Sequence, residues 1–223
     1  AEDGILDHLL GLVGSEMCIR DRLMLMGLSH PSAGFAKVCG LDPLRNARDV
    51  KRIAGYLPEN IGFYGDLTAV QNLEYVASLN GIQPDKASEK IDELLEMVEL
   101  KQEARKKVGA FSRGMKQRLG FAEALIKDPQ VLYLDEPTIG LDPEGALRLM
   151  EFIKTLNRDR KITVLLSSHN LYQVQKISHR VGIMIQGEMV AEGSIESLAK
   201  EKFGVGDKKY SLEEIYMKYF QEV

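Results

Sequence analysis

Residues 111–143 read FSRGMKQRLGFAEALIKDPQVLYLDEPTIGLDP, and the centre of this stretch decides the fold. Apolar residues fill positions 131–134 and lead directly into Asp135 and Glu136. A short apolar run after a proline-containing turn is typical of a buried parallel strand. Ligands of open α/β sheets bind at the carboxyl ends of such strands, and charge buried there is costly unless it meets a metal or a partner. We therefore predict a site at this strand end; the alternative is a pair of solvated carboxylates.

Three further motifs accompany the acid pair. Residues 112–117, SRGMKQ, precede a helix upstream of it, and Asp142 follows it within the tripeptide Leu-Asp-Pro. His169 ends a second apolar strand, predicted from residues 161–168. Together these motifs resemble the ATP-binding subunit of an ABC transporter, and the variants present are similar to exporter-like members that act in multidrug or ion efflux. The resemblance covers nearly the whole chain.

The resemblance implies an α/β fold with three parts. These are a RecA-like core of the P-loop NTPase type, an inserted helical subdomain and an antiparallel β-subdomain. We expect residues 1–60 and 128–223 to form the core and residues 61–127 the helical subdomain, within one ABC ATP-binding domain that begins inside the fold. The sequence supports helix in the middle segment, because apolar residues at positions 91, 94, 95 and 98 form one amphipathic stripe.

For the chemistry, the resemblance implies that Asp135 holds Mg²⁺ and that Glu136 is the general base that activates a water. His169 would contact the γ-phosphate and steady that water, although a lone histidine is often structural. Glu59 stands after an apolar strand, where the family usually has glutamine, and would contact Mg²⁺ and the water. The alternative for Glu59 is a plain loop carboxylate.

A second set of residues is implied to bind nucleotide. Ser112, Arg113 and Gly114 occupy the family's signature motif, here FSRGM in place of the commoner LSGGQ. A serine-capped helix start with free N–H groups binds phosphate, and glycine allows close approach. In the family this phosphate belongs to ATP held by a second ATP-binding subunit. Asp142 would cross the dimer interface; a simple helix cap is the alternative for both motifs.

The phosphate-binding loop of the family, G-x-x-x-x-G-K-[ST], is interrupted in this chain. Aligned on Gly11, Glu16 stands where the second glycine belongs, Met17 replaces the lysine and Cys18 the hydroxyl residue. Gly11 and Gly14 remain as candidate nucleotide-binding residues. The missing donors are worth about 1.5–3 kcal/mol each, so we expect ATP binding by the chain as written to be weakened by orders of magnitude.

Two explanations for the interruption stay open. One is a degenerate, inactive cassette. The other is that residues 12–21, LVGSEMCIRD, resemble the in-frame translation of a transposase adapter used in sequencing libraries. Arg20 or Arg22 would compensate in part for the lost lysine, or else both lie on a solvated face.

Composition limits the partners. The formal net charge is -4, which argues against nucleic acid because nucleic-acid-binding domains usually carry a basic face. The two cysteines, Cys18 and Cys39, form no disulfide framework, which favours a reducing cytosol. No apolar run approaches the roughly 20 residues of a membrane-spanning helix. We therefore expect a cytoplasmic protein, peripheral on the inner face of the cell membrane, with the transport pathway on a separate transmembrane permease subunit.

The expected function is ATP binding and hydrolysis, with ATP and Mg²⁺ as cofactors, to power that permease. A non-catalytic regulatory cassette is one alternative. A soluble ABC ATPase outside transport is the other, although such proteins usually carry two cassettes or a long coiled coil.

Overall fold

A computed structural model of the chain describes residues 9–14, 18–204 and 209–221, with only the backbone given for residues 14 and 18–21. Strands and helices alternate along these ranges. The strands are β1 (Leu9–Gly14), β2 (Ala54–Leu57), β3 (Val131–Asp135), β4 (Thr163–Ser167), β5 (Arg180–Ile185) and β6 (Glu188–Gly193). The helices are α1 (Cys18–Leu25), α2 (Ala47–Ile53), α3 (Ala69–Leu79), α4 (Pro84–Met97), α5 (Arg113–Leu125), α6 (Pro143–Arg160), α7 (Leu171–Ile177), α8 (Ile195–Phe203) and α9 (Leu212–Phe220).

The strands form one 6-stranded sheet in the order β2-β3-β4-β1-β5-β6. Strands β1 to β5 run parallel to their neighbours, and β6 pairs antiparallel with β5. The β5–β6 hairpin therefore continues the parallel sheet, and the strands of the described residues form this one sheet. A separate antiparallel β-subdomain stays a prediction. Because parallel strands end at one edge of a sheet, the residues after β3 and β4 are brought together there.

The acid-bearing strand β3 is buried along its whole length, which confirms its prediction as an inner strand. Leu132 and Leu134 belong to the main core, whereas Val131 and Tyr133 belong to a second cluster that includes residues beside α1 and in α2. Since side chains alternate along a strand, Asp135 shares the face of Val131 and Tyr133. This register directs the first carboxylate of the pair toward α1.

Helices α3, α4 and α5 lie between β2 and β3 in the sequence, and they pack against one another. The amphipathic stripe predicted here is confirmed, because Ile91, Leu94 and Leu95 are buried and Val98 is only 6% exposed. The domain boundaries at residues 60 and 128 stay a prediction. No helix in the described ranges combines the length and apolarity needed to cross a membrane.

Gly55 fixes the distance between β2 and α5. A Cβ atom at this position would lie less than 3.0 Å from both the Ala124 backbone oxygen and Leu132 Cδ1. A backbone oxygen in a helix cannot rotate away as a side chain can. Gly55 is therefore required by close packing and not by its dihedral freedom.

We predict that Gly55→Ala lowers the free energy of unfolding by about 1–3 kcal/mol, because the added methyl group overpacks the β2–α5 contact. Urea denaturation followed by circular dichroism measures this change. Gly62→Ala is the matched control, since a Cβ atom added there would have nothing within 4 Å. The control should change stability by less than about 1 kcal/mol. Equal effects of the two substitutions would contradict the packing role.

Candidate functional site

The site is centred on the ends of β3 and β4, which lie side by side in register. Asp135 is the register partner of Ser167. The Ser167 hydroxyl donates a hydrogen bond of 2.9 Å to Asp135 Oδ1. Both residues are buried, each with 7% exposure. Strand pairing therefore places the Ser167 hydroxyl where it can hold one oxygen of the Asp135 carboxylate.

Glu136 is held by the residues that follow β4. Its Oε1 accepts a hydrogen bond of 2.8 Å from the His169 backbone N–H and lies 2.8 Å from His169 Nδ1. Its Oε2 accepts a hydrogen bond of 3.2 Å from the Ser168 hydroxyl. The structure thus brings together Asp135, Glu136 and His169, which were predicted to act together. Their catalytic roles stay a prediction.

The backbone of Glu136 is strained. Its φ angle is +46°, in the left-handed region that non-glycine residues rarely adopt. Such a conformation costs about 1–2 kcal/mol and persists only where its surroundings enforce it. Here the Glu136 N–H donates to the Ser167 carbonyl at 3.0 Å, and its carbonyl accepts from Ile139 N–H at 3.0 Å. Strain of this kind clusters at functional sites.

Arg22 reaches this edge from α1. Its NH2 atom lies 2.6 Å from Asp135 Oδ2, and its NH1 atom donates to the Ser167 hydroxyl oxygen. The residue is only 1% exposed, and its Nε has no hydrogen-bond partner. The interpretation of Arg22 as part of a solvated face is therefore wrong. The reason is the helical phase of α1, which turns this position inward toward the carboxylate.

This arrangement does not fit a divalent cation at Asp135. One carboxylate oxygen accepts from Ser167 and the other pairs with Arg22. Within the described ranges, no three His, Cys, Asp or Glu side chains form a group that could hold a metal ion.

Glu59, the other predicted metal ligand, follows β2 and is half-buried. No hydrogen bond or ion pair joins Glu59 to another residue of the described part of the chain.

The predicted signature motif lies in a different place. The Ser112 hydroxyl accepts a hydrogen bond of 3.2 Å from Met115 N–H, so Ser112 caps α5 as predicted. Ser112, Arg113, Gly114 and Asp142 all line one cavity of about 450 Å³. Asp142 occupies the N-cap position of α6, but its side chain accepts no capping hydrogen bond. Asp135, Glu136 and His169 do not line this cavity, so within one chain the two predicted groups are separate.

A buried glutamine connects the two groups. Gln117, on the signature helix α5, donates a hydrogen bond of 3.0 Å from Nε2 to the carbonyl oxygen of Pro137. Pro137 directly follows the acid pair, and Gln117 is only 3% exposed. This role of Gln117 was not predicted from the sequence. A polar side chain among the apolar positions of a predicted helix was the available signal.

The two glycines predicted for nucleotide binding lie in β1. Gly11 pairs with Leu166 and Val181 in the sheet interior. A Cβ atom at Gly11 would lie less than 3.0 Å from Val174 Cγ1, so close packing against α7 accounts for this glycine. Gly14 is the last residue of β1.

The extent of β1 changes the frame in which the phosphate-binding loop is aligned. A P-loop connects the end of a strand to the start of a helix. Because β1 ends at Gly14 and α1 begins at Cys18, a pattern G-x-x-x-x-G-K-[ST] placed between this strand and this helix would start at Gly14 rather than at Gly11. In this frame Ile19, Arg20 and Asp21 stand at the glycine, lysine and hydroxyl positions. In the frame aligned on Gly11, two of the substituted positions, Glu16 and Met17, lie outside the described residues.

Comparison with known proteins gives the family. The family model described as "ABC transporter" matches residues 23–139, more than half of the chain. The chain belongs to the ABC transporter family. The matched segment contains the signature motif and the acid pair, and it begins after the interrupted loop.

Two relatives illustrate the similarity of this ABC transporter family member. It is 42% identical over 177 residues to the bacitracin transport ATP-binding protein BcrA of Bacillus licheniformis, covering 79% of this chain and 57% of the relative. It is 36% identical over 181 residues to the Nod factor export ATP-binding protein I of Burkholderia thailandensis, covering 81% of this chain and 59% of the relative. The chain thus spans less than three fifths of the length of either relative.

Solved structures give the same fold. An ATP-binding subunit of an ABC transporter superposes with a TM-score of 0.86 at 24% identity, covering 96% of this chain and 89% of that one. A dimeric ATP-binding cassette bound to ADP and Pi superposes with a TM-score of 0.76 at 21% identity, covering 86% and 87%. The α/β fold predicted from the sequence is therefore confirmed as that of an ABC ATPase.

We predict that Gln117→Met lowers the free energy of unfolding by about 1–3 kcal/mol, because the Pro137 carbonyl loses its buried donor. Methionine keeps the length of the side chain, so packing changes little. Chemical denaturation measures the difference. Lys116→Met, one residue earlier on the same helix, is the control and should have a smaller effect. A loss that is no larger for Gln117→Met than for the control would exclude this connection.

Proposed function

We propose that this protein is the ATP-binding and ATP-hydrolysing subunit of an exporter-like ABC transporter. In this proposal it acts with a second ATP-binding subunit and powers a separate transmembrane permease from the cytoplasmic side of the membrane. The observation that carries the proposal is the meeting of Asp135, Glu136 and His169 at one edge of the sheet. Similarity to transport and export ATP-binding proteins supports the transport role.

The roles in hydrolysis follow from the contacts. Glu136 is the general base that takes a proton from the attacking water, and the Ser168 and His169 contacts hold its carboxylate in place. His169 is 77% exposed at its side chain, so its ring can reach a phosphate above the sheet edge. Glu59 orients the water. Asp135 is the Mg²⁺ ligand of a chain with an intact loop; in the present arrangement its oxygens are engaged.

The separation of the two residue groups supports a head-to-tail pair of subunits. Ser112, Arg113, Gly114 and Asp142 lie together but apart from the acid pair of their own chain. They would complete the nucleotide site of the partner subunit. The helix start at Ser112 provides the free N–H groups that such a phosphate contact needs.

We further propose that the chain as written binds ATP weakly. The lysine and hydroxyl residue of the phosphate-binding loop are missing in either frame, and Gly14 is the retained glycine of the loop. A degenerate regulatory cassette and an adapter-derived insertion over residues 12–21 both lead to this result. Sequencing reads across the codons for residues 11–23 separate the two origins.

The first test restores the loop in the frame that the strand boundary gives. Ile19→Gly, Arg20→Lys, Asp21→Thr and Arg22→Thr together define the repaired chain, the last change freeing Asp135. We expect its ATP affinity to exceed that of the original chain by at least about a hundredfold, since the lysine and the loop amides regain charge-assisted hydrogen bonds to the phosphates. Fluorescence titration with a labelled ATP analogue measures the affinity.

The matched control places the same residue types in the other frame. Glu16→Gly, Met17→Lys and Cys18→Thr, again with Arg22→Thr, create the loop aligned on Gly11. This control should bind ATP no better than the original chain. Equal affinities for the two repaired frames would contradict the assignment of Gly14, and no binding by either would contradict the proposed function.

The second test concerns the base. In the repaired chain, Glu136→Gln should lower the steady-state ATPase rate by about 10²–10⁴, because an amide cannot take the proton. ATP affinity should be unchanged, since the amide oxygen can still accept from His169 N–H. Glu144→Gln, at an exposed position of α6, is the control and should leave the rate unchanged. A fall of less than about threefold for Glu136→Gln would remove Glu136 from this role.

A further inference from the structure

Arg22 is unusual among the charged residues of this protein. In the described part of the chain, Arg22 and Asp135 are the charged residues that are buried, and they are paired with each other. Removing a charge from water is costly, and a buried pair is stable only with good geometry and further hydrogen bonds. The burial of Arg22 therefore requires an explanation, whereas an arginine in a surface salt bridge would not.

The geometry around Arg22 forms a closed set of contacts. Its NH2 atom meets Asp135 Oδ2 at 2.6 Å, and its NH1 atom donates to the Ser167 hydroxyl oxygen. The same hydroxyl donates to Asp135 Oδ1 at 2.9 Å. Both oxygens of Asp135 thus have partners from the chain itself. The planar guanidinium suits this two-sided contact better than a lysine ammonium would.

The neighbouring titratable groups do not replace either partner of the Arg22–Asp135 ion pair. Glu136, the neighbouring acid, is engaged by Ser168 and His169. Tyr56, on β2, also lies near the pair; burial and the Asp135 carboxylate raise the pKa of its phenol, and Arg22 partly opposes this. The phenol is therefore neutral at physiological pH. Arg22 is the group that balances the charge of Asp135.

We propose that Arg22 is an internal cation that occupies, at Asp135, the position a divalent metal would take, and so closes the acid pair to metal–nucleotide. This inference deepens the proposed function and rests on it for the identity of the excluded ligand. The ion pair itself does not depend on that function. It follows that repairing the phosphate-binding loop while Arg22 is retained leaves nucleotide binding insensitive to metal.

The first experiment tests the pair in the original chain without nucleotide. Thermal unfolding is compared for Asp135→Asn, Arg22→Met and the double variant. Each single variant leaves one buried charge unpaired, so we expect its Tm to fall by on the order of 10 °C. The double variant should lose no more than either single variant. Arg48→Met and Asp92→Asn, at exposed positions, are the matched controls and should leave Tm nearly unchanged.

Additive losses in the double variant, or an Arg22→Met effect equal to that of Arg48→Met, would overturn the proposal. A second measurement covers the case in which a single variant does not fold. Phenylglyoxal modification of the unaltered chain, followed by mass spectrometry, should label Arg22 at least about tenfold more slowly than exposed Arg48, since labelling of a buried group requires local opening. Equal labelling rates would also overturn the proposal.

The last experiment tests the exclusion of metal. Two repaired chains carry Ile19→Gly, Arg20→Lys and Asp21→Thr, one with Arg22 and one with Arg22→Thr. ATP binding is measured with Mn²⁺ and with EDTA. Mn²⁺ should tighten binding at least about tenfold only in the chain with Arg22→Thr. An equal gain in both chains would contradict metal exclusion, whereas no ATP binding by either would count against the proposed function and leave the unfolding result to decide the ion pair.

Discussion

The pairing of β3 with β4 is the constraint on which the site depends. Register places Asp135 opposite Ser167, and the backbone that continues from each strand then places Glu136 beside Ser168 and His169. The cost of the left-handed conformation at Glu136 is offset by the hydrogen bonds that the neighbouring strand end provides.

The two predicted groups of functional residues are connected through the protein interior. Gln117 joins the signature helix α5 to the loop after the acid pair, and Gly55 holds β2 close to the same helix. A displacement of α5 would therefore be felt at Pro137. Gln117 is thus a direct contact between the helix that Ser112 caps and the loop that follows the acid pair.

Local chemistry made much of this arrangement predictable. Strand β3, the cap at Ser112 and the placement of His169 after a buried strand all follow from short sequence patterns with a clear physical meaning. The burial of Arg22 does not follow from such a pattern, because the helical phase of α1 depends on where the preceding strand ends. Gly11 also has a tertiary explanation, because a Cβ atom there would clash with Val174, a residue distant in sequence. Tertiary packing decided both.

The central claim is that the Asp135 carboxylate is satisfied by the chain's own cation at this sheet edge. Nitrogen-15 NMR of the arginine side chains tests it most directly, because a guanidinium held on two sides rotates slowly and its Nη hydrogens exchange slowly with solvent. We expect separate, protected Nη–H signals for Arg22 that are lost in Asp135→Asn. Averaged Arg22 signals that exchange as fast as those of exposed arginines would contradict the account.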